Sequence, residues 1–172
     1  MKLEAIILFL YPDYYFHRIW ELEPQWLLDH KIKVLLLDVD NTLTTHNNPE
    51  VPDEVGQWLQ EVKQAGIRLL ILSNNKAKRV APFAKKLGVG YIANAAKPLG
   101  FGVWRAIKRL QADSRYLAVV GDQLFTDVLC AKSTGVISIL VEPIKKEPFL
   151  FLRMKRRLER VVLQNYHKGD HL

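Results

Sequence analysis

Short apolar runs alternate with longer, mixed stretches from residue 34 onward. Residues 34–37, 68–72, 89–93, 116–120 and 136–141 are rich in Val, Ile, Leu and Tyr, the composition of strands buried on both faces of a parallel sheet. Between them the apolar positions fall at helical spacing. Val55, Leu59 and Val62 follow Asp53, a candidate N-cap, and stop near Gly66. Further helices are expected over 78–87, closed by Gly88, over 100–110, and through Asp127 and Cys130 to Gly135. Helices alternating with apolar strands predict a three-layer α/β domain with a central parallel sheet and right-handed crossovers.

The flanks differ from this core. Residues 1–33 are dense in aromatics, among them Phe9, Tyr11, Tyr14, Tyr15, Phe16, Trp20 and Trp26, and Pro24 starts a short helix running to about residue 30. Residues 142–172 hold an amphipathic segment. Phe151, Met154, Leu158 and Val161 or Val162 recur at helical spacing, with Arg153, Arg156, Arg157 and Arg160 around the rest. The expected division is thus a leader over 1–33 that packs on the core or on a membrane, a core over 34–141, and a basic helix and tail over 142–172.

At 172 residues the chain suits one domain with a sizeable core. The formal charge is +7, and from residue 142 onward eight Lys or Arg stand against four acids, so the tail holds +4 of it. That balance points to anionic partners: phospholipid, nucleic acid or an acidic substrate. The single cysteine excludes an internal disulfide and suits a reducing compartment. A Cys-x5-Arg phosphatase loop is excluded, because Val136 stands where the arginine would be. The apolar run near the N-terminus contains Glu4 and ends at Pro12, far short of the roughly 20 residues that span a bilayer. The expected location is cytoplasmic, with peripheral membrane association.

The first core strand breaks into two carboxylates, Asp38 and Asp40. Neighbouring buried carboxylates repel, so such a strand tip calls for a cation or a function. Ligand crevices of open α/β sheets lie at the carboxyl ends of the strands. Polar residues stand at the other strand ends too: Ser73 and Asn74 after the second, Lys97 beyond the third, and Asp122 with Asp127 after the fourth.

Leu37-Asp38-Val39-Asp40-Asn41-Thr42-Leu43 resembles the first motif of the haloacid dehalogenase (HAD) superfamily, in the form seen in subfamily IIIA and its YqeG-like phosphatases, relatives of phosphatidylglycerophosphate phosphatases. Leu69-Leu70-Ile71-Leu72-Ser73, Ala96-Lys97-Pro98 and Gly121-Asp122-Gln123-Leu124-Phe125-Thr126-Asp127 are similar to its remaining motifs. The resemblance covers about residues 34 to 141 and implies a Rossmann-like HAD fold. It implies that Asp38 attacks phosphorus, that Asp40 acts as acid and then base, and that Ser73, Asn74 and Lys97 bind the phosphoryl group. Mg²⁺ would be held by Asp38, the Asp40 carbonyl and Asp122, with Asp127 behind them holding a metal water or Lys97.

Only 32 residues separate Asp40 from Ser73 and 23 separate Ser73 from Lys97, too few for a cap domain in either gap. A capless site suits a substrate too large to enclose. The leading expectation is a Mg²⁺-dependent phosphatase of phosphatidylglycerophosphate or a related lipid phosphate, working at an anionic membrane. A soluble phosphatase of nucleotides or sugar phosphates is one alternative. A nucleic-acid-binding protein on a HAD scaffold is another, disfavoured by the intact carboxylates and by the lack of an aromatic-basic module.

Overall fold

The computed structural model describes residues 3–46, 48–145, 150–164 and 166. In chain order the elements begin with α1 (Leu3–Leu10), β1 (Tyr14–Phe16), α2 (Pro24–Asp29), β2 (Val34–Leu37), α3 (Asp53–Gln64) and β3 (Arg68–Leu72). They continue with α4 (Ala77–Leu87), β4 (Gly90–Ile92), α5 (Phe101–Leu110), β5 (Leu117–Gly121), α6 (Leu129–Thr134), β6 (Ile137–Val141) and α7 (Leu150–Leu163). A single wide π-helical turn over Leu124–Val128 leads into α6.

The six strands form one sheet in the order β1-β6-β5-β2-β3-β4, and every pairing is parallel. All carboxyl ends therefore share one edge. The unbroken apolar run of β2 has its reason in the pleat, since alternate side chains go to opposite faces. Leu35 and Leu37 join a core with α3, α4 and the leader, while Val34 and Leu36 join a second core with α5 and α6. Gly88 and Gly135 end α4 and α6 in the left-handed region, φ 61° and 68°, which a residue without Cβ enters at little cost.

Three local details correct or add to the sequence reading. Asp53 does not cap α3. Pro52 takes the cap position, and Asp53 lies in the first turn, where its charge still opposes the helix dipole favourably. Pro82 sits inside α4 without ending it. The leader also supplies an edge strand that its pattern does not announce, β1, pairing Tyr14 with Ile139.

Asp13 anchors that strand. Its carboxylate accepts from the Ser138 amide at 2.8 Å, the Ser138 hydroxyl at 2.7 Å and Lys132 at 2.5 Å. Trp58 Nε1 donates to the Leu22 carbonyl at 2.8 Å and ties the leader to α3. Tyr14, Phe16, Trp20 and Trp26 pack against the core, and Tyr11 is buried, so among the leader aromatics Phe9 is the large exposed one.

The motif gaps hold what their lengths allow. Among the described residues, a loop and α3 join β2 to β3, and α4 joins β3 to β4, with no inserted domain. The C-terminal helix α7, however, comes back to the carboxyl edge of the sheet. Val162 and Leu163 pack with Leu10 on a small core of Leu124, Val128 and Leu140.

Candidate active site

β2 delivers Asp38 to the centre of the edge, where its amide continues the ladder by donating to the Val120 carbonyl at 2.9 Å. The chain then turns at Asn41, φ 63°, a left-handed conformation that Asn tolerates. The Asn41 amide donates to the Thr44 carbonyl at 2.6 Å, and the Thr42 hydroxyl reaches back to Asp38 Oδ2 at 3.4 Å.

Lys97 lies between two acids. Its Nζ is 2.6 Å from Asp38 Oδ1 and 2.5 Å from Asp127 Oδ1, and all three groups are buried. Burial works against the ammonium charge, but Asp127 and Asp38 outweigh it and raise the Lys97 pKa. The lysine is locked from behind. Asn74 donates to the Lys97 carbonyl at 2.9 Å and accepts from its amide at 2.7 Å. The Asn74 side chain is thereby committed to the Lys97 main chain. Ser73 Oγ, also buried, accepts from the Asn75 amide at 3.1 Å.

Asp122 and Asp127 flank the turn after β5. Gly121 is required here by close approach, since a Cβ at that position would overlap the Asp127 carboxylate. Carboxylate oxygens of Asp38, Asp122 and Asp127 lie within 4.8 Å of one another. Burial pushes the Asp38 carboxyl up to about 6, against the pull of Lys97. Burial raises Asp122 as well, opposed by Arg156 and reinforced by Asp38 and Asp127.

Asp127 is fully engaged, accepting from Lys97, from the Gln123 amide at 3.2 Å and from the Thr126 hydroxyl at 3.4 Å. Asp122 Oδ1, by contrast, is buried with no hydrogen-bond partner among the described residues. An orphaned buried carboxylate oxygen facing two other acids fits a hard divalent cation, which prefers oxygen ligands.

Asp40 is two residues from Asp38 but points elsewhere. Its carboxylate is bonded by Arg79 and by Asn75 Nδ2 at 2.8 Å, with His46 Nδ1 at 3.6 Å. The edge thus gathers Asp38, Lys97, Asp122 and Asp127 into one buried cluster, with Asp40 and Ser73 beside it.

Two further residues come from α7. Arg156 bonds both Asp122 Oδ2 and the Asp122 carbonyl, and its Nη1 lies 3.0 Å from Glu159 Oε2. Glu159 is buried and accepts from the Leu124 amide at 2.9 Å. Together they grip the Asp122–Leu124 turn. This corrects the expected helix geometry: Arg156 is turned inward onto the cluster, while Met154, Leu158 and Val161 face outward and are exposed. The one available signal was Glu159, the only acid in residues 150–164. Asn75 and Arg79 were missed too, although Asn75 directly follows Ser73-Asn74.

Haloacid dehalogenase-like hydrolases match residues 47–135. Over 164 residues the chain is 33% identical to the probable phosphatase YqeG of Bacillus subtilis (strain 168), covering 95% of each protein. The chain belongs to the haloacid dehalogenase-like hydrolase family.

It is an enzyme of the HAD phosphatase type, and its parallel sheet is the Rossmann-like HAD fold. The crystal structure of 4-nitrophenylphosphatase from Thermotoga maritima aligns with a TM-score of 0.58 at 16% identity, over 76% of this chain and 91% of that one. The cobalt-bound deoxy-D-mannose-octulosonate 8-phosphate phosphatase from Haemophilus influenzae aligns at 0.53 and 14%, over 78% and 89%. At these identities they share the fold. A more distant sequence relative is phosphatidylglycerophosphate phosphatase 1 of Arabidopsis thaliana, 24% identical over 145 residues, which are 78% of this chain and 41% of that protein. The family match starts after Asp38 and Asp40, whereas the similarity to the Bacillus protein extends over nearly the whole chain.

Proposed function

We propose that this HAD phosphatase hydrolyses a phosphate monoester through an aspartyl-phosphate on Asp38, with Mg²⁺ as cofactor. The observation that supports it most is the position of Lys97, 2.6 Å from Asp38 and braced at 2.5 Å by Asp127, beside the orphaned Asp122 oxygen. Asp38 attacks phosphorus and the ester oxygen leaves with a proton from Asp40. Asp40 then takes a proton from water as that water attacks the acyl-phosphate. Phosphate is released and both carboxylates are restored. Asp40 reaches the leaving oxygen by swinging from its partners Asn75 and Arg79. Lys97 balances the charge of Asp38 and the arriving phosphoryl group, and the Ser73 hydroxyl donates to a phosphoryl oxygen while accepting from Asn75. Asn74 keeps Lys97 in place. Asp38, the Asp40 carbonyl and Asp122 would hold Mg²⁺, which supplies charge that lets a carboxylate approach a phosphate.

The substrate is proposed to be a lipid phosphate, phosphatidylglycerophosphate or a relative, met at an anionic membrane surface. Three observations support this choice. No inserted domain closes the edge among the described residues. Met154, Leu158 and Val161 form an exposed apolar stripe along α7 with Arg157 exposed beside it, and Leu8 and Phe9 are exposed on α1, whose Leu10 packs with Val162 and Leu163. Such a surface suits interfacial binding. The Arabidopsis relative is named for that lipid. No helix among the described residues is long and apolar enough to cross a membrane.

Phosphate release from phosphatidylglycerophosphate in detergent, set against soluble nucleotide and sugar phosphates, tests this reading. Metal-dependent release with preference for the lipid is expected. Preference for soluble esters would shift the substrate class, and full activity in chelator would overturn the metal assignment.

A further inference from the structure

A cleft of about 670 Å³ starts at Asp122 and runs over the carboxyl ends of β6 and β1, beneath α7. It lies beside the carboxylate cluster and shares Asp122 with it. Its floor is apolar, with buried Leu124, Leu140 and Val141.

The charges around that floor are unequal in kind. The acids are already committed. Glu142 pairs with His17 Nδ1 at 2.8 Å and accepts from Tyr15 at 3.3 Å. Glu159 is held by Arg156 and the Leu124 amide, and Asp122 by Arg156. The arginines other than Arg156 are uncommitted. Arg18 donates only to the neighbouring His17 carbonyl at 3.2 Å, and Arg153 and Arg160 are exposed with no acidic partner among the described residues. What the cleft lacks is therefore an anion, and a guanidinium binds the oxygens of phosphate or carboxylate in a fixed fork. The floor adds room for aliphatic carbon. Asp122 belongs both to this cleft and to the carboxylate cluster, so a group in the cleft is within a short linker of Asp38.

We infer that this cleft is the leaving-group site, and that Arg18, Arg153 and Arg160 select esters whose aliphatic leaving alcohol carries a second phosphate. The inference rests on Asp38 as the attacking group. The second anion would lie under α7 while the first is transferred, so α7 would determine specificity as well as hold the Asp122 turn. Charge alone does not define the site, because the outward Arg157 has the same chemistry but does not line the cleft.

The test compares propanediol bisphosphate with propyl phosphate, which have the same carbon chain and differ by one anion. Wild-type protein with Mg²⁺ should favour the bisphosphate by roughly tenfold or more in kcat/KM, as expected when a site is built to bind a polar group the analogue lacks. Arg153→Gln with Arg160→Gln should bring that ratio close to one, mainly by raising KM for the bisphosphate. Arg18→Gln, on a different segment, should lower it by a smaller factor. An unchanged ratio in both variants, or no preference in wild type, overturns the assignment. If wild type hydrolyses neither ester, that result bears on the proposed reaction and its substrate class and not on the cleft. The cleft is then judged by calorimetric titration of Asp38→Asn protein: tighter binding of the bisphosphate that vanishes with Arg153→Gln and Arg160→Gln upholds it, and equal binding rejects it.

Discussion

The two halves of the sheet edge are built differently. Over β2, β3 and β4, each functional side chain follows its own strand within a few residues, and its partners stand at or just beyond the neighbouring strand ends, as when Asn74 grips Lys97. At the turn after β5, the bracing contacts come instead from α7, a helix beyond the last strand of the sheet. Arg156 is 34 residues from Asp122, and Glu159 is 35 residues from Leu124. The first half is a motif in space because it is a motif in sequence. The second exists only once α7 has docked.

If the first half holds the chemistry, Asp38→Asn should cost the most. Loss of the attacking oxygen should lower turnover by at least about a thousandfold. The fold should not suffer, because burial has already pushed the Asp38 carboxyl up to about 6, so at neutral pH its charge is kept at a cost. Thermal melts in chelator should show the variant as stable as wild type or more so. A cooperative loss of stability would mean that the Lys97 pair is structural first.

The second half predicts a smaller effect. Arg156→Ala leaves Asp122 Oδ2 and the Asp122 carbonyl without their donor, and buried oxygens so abandoned cost about 1–3 kcal/mol. A fall of about tenfold to a hundredfold in kcat/KM is expected, partly restored by Arg156→Lys. Unchanged kinetics would reduce α7 to a cover and erase the contrast.

Asp13 tests how firmly the distal strand is attached. Its burial opposes ionisation, yet bonds from Lys132 and Ser138 hold the carboxyl below its usual value. A lowered carboxyl pKa gives stability that is present above the unfolded value near 3.8 and is lost as pH falls through the folded one. Asp13→Asn should therefore destabilise by about 1–2 kcal/mol at pH 7, with the gap to wild type closing below about pH 4. A pH-independent gap would point to packing instead.

The smallest effect concerns the outer face of α7. Leu158→Glu should weaken sedimentation with phosphatidylglycerol vesicles severalfold, on top of a loss with added salt. Wild type that stays in the supernatant at low salt would remove the membrane from the account.

Much of this molecule was legible in its sequence, for physical reasons that particular residues show. The run at 34–37 had to be a strand covered on both faces, and the pleat sends Leu35 and Leu37 one way, Val34 and Leu36 the other. Asp38 at its tip was legible because buried carboxylates are costly. β1 was not legible. Tyr14, Tyr15 and Phe16 are half-buried without alternation, and their pairing depends on Asp13 reaching Ser138, 125 residues away. Arg156 was misplaced because periodicity marks which residues share a helix face, not which face meets the sheet. The π-helical turn at Leu124–Val128 escaped notice because nothing in its composition separates it from the helix that follows.

The most direct test of phosphoryl transfer to Asp38 is to trap the phosphoenzyme. The protein, turning over a radiolabelled phosphate ester with Mg²⁺, is quenched in acid; one portion is counted for bound label, and a second is reduced with borohydride and digested. The account predicts an acid-stable, base-labile label, with Asp38 converted to homoserine and no labelling in Asp38→Asn. Label on another residue, or turnover by wild type while Asp38 remains unmodified, would contradict it.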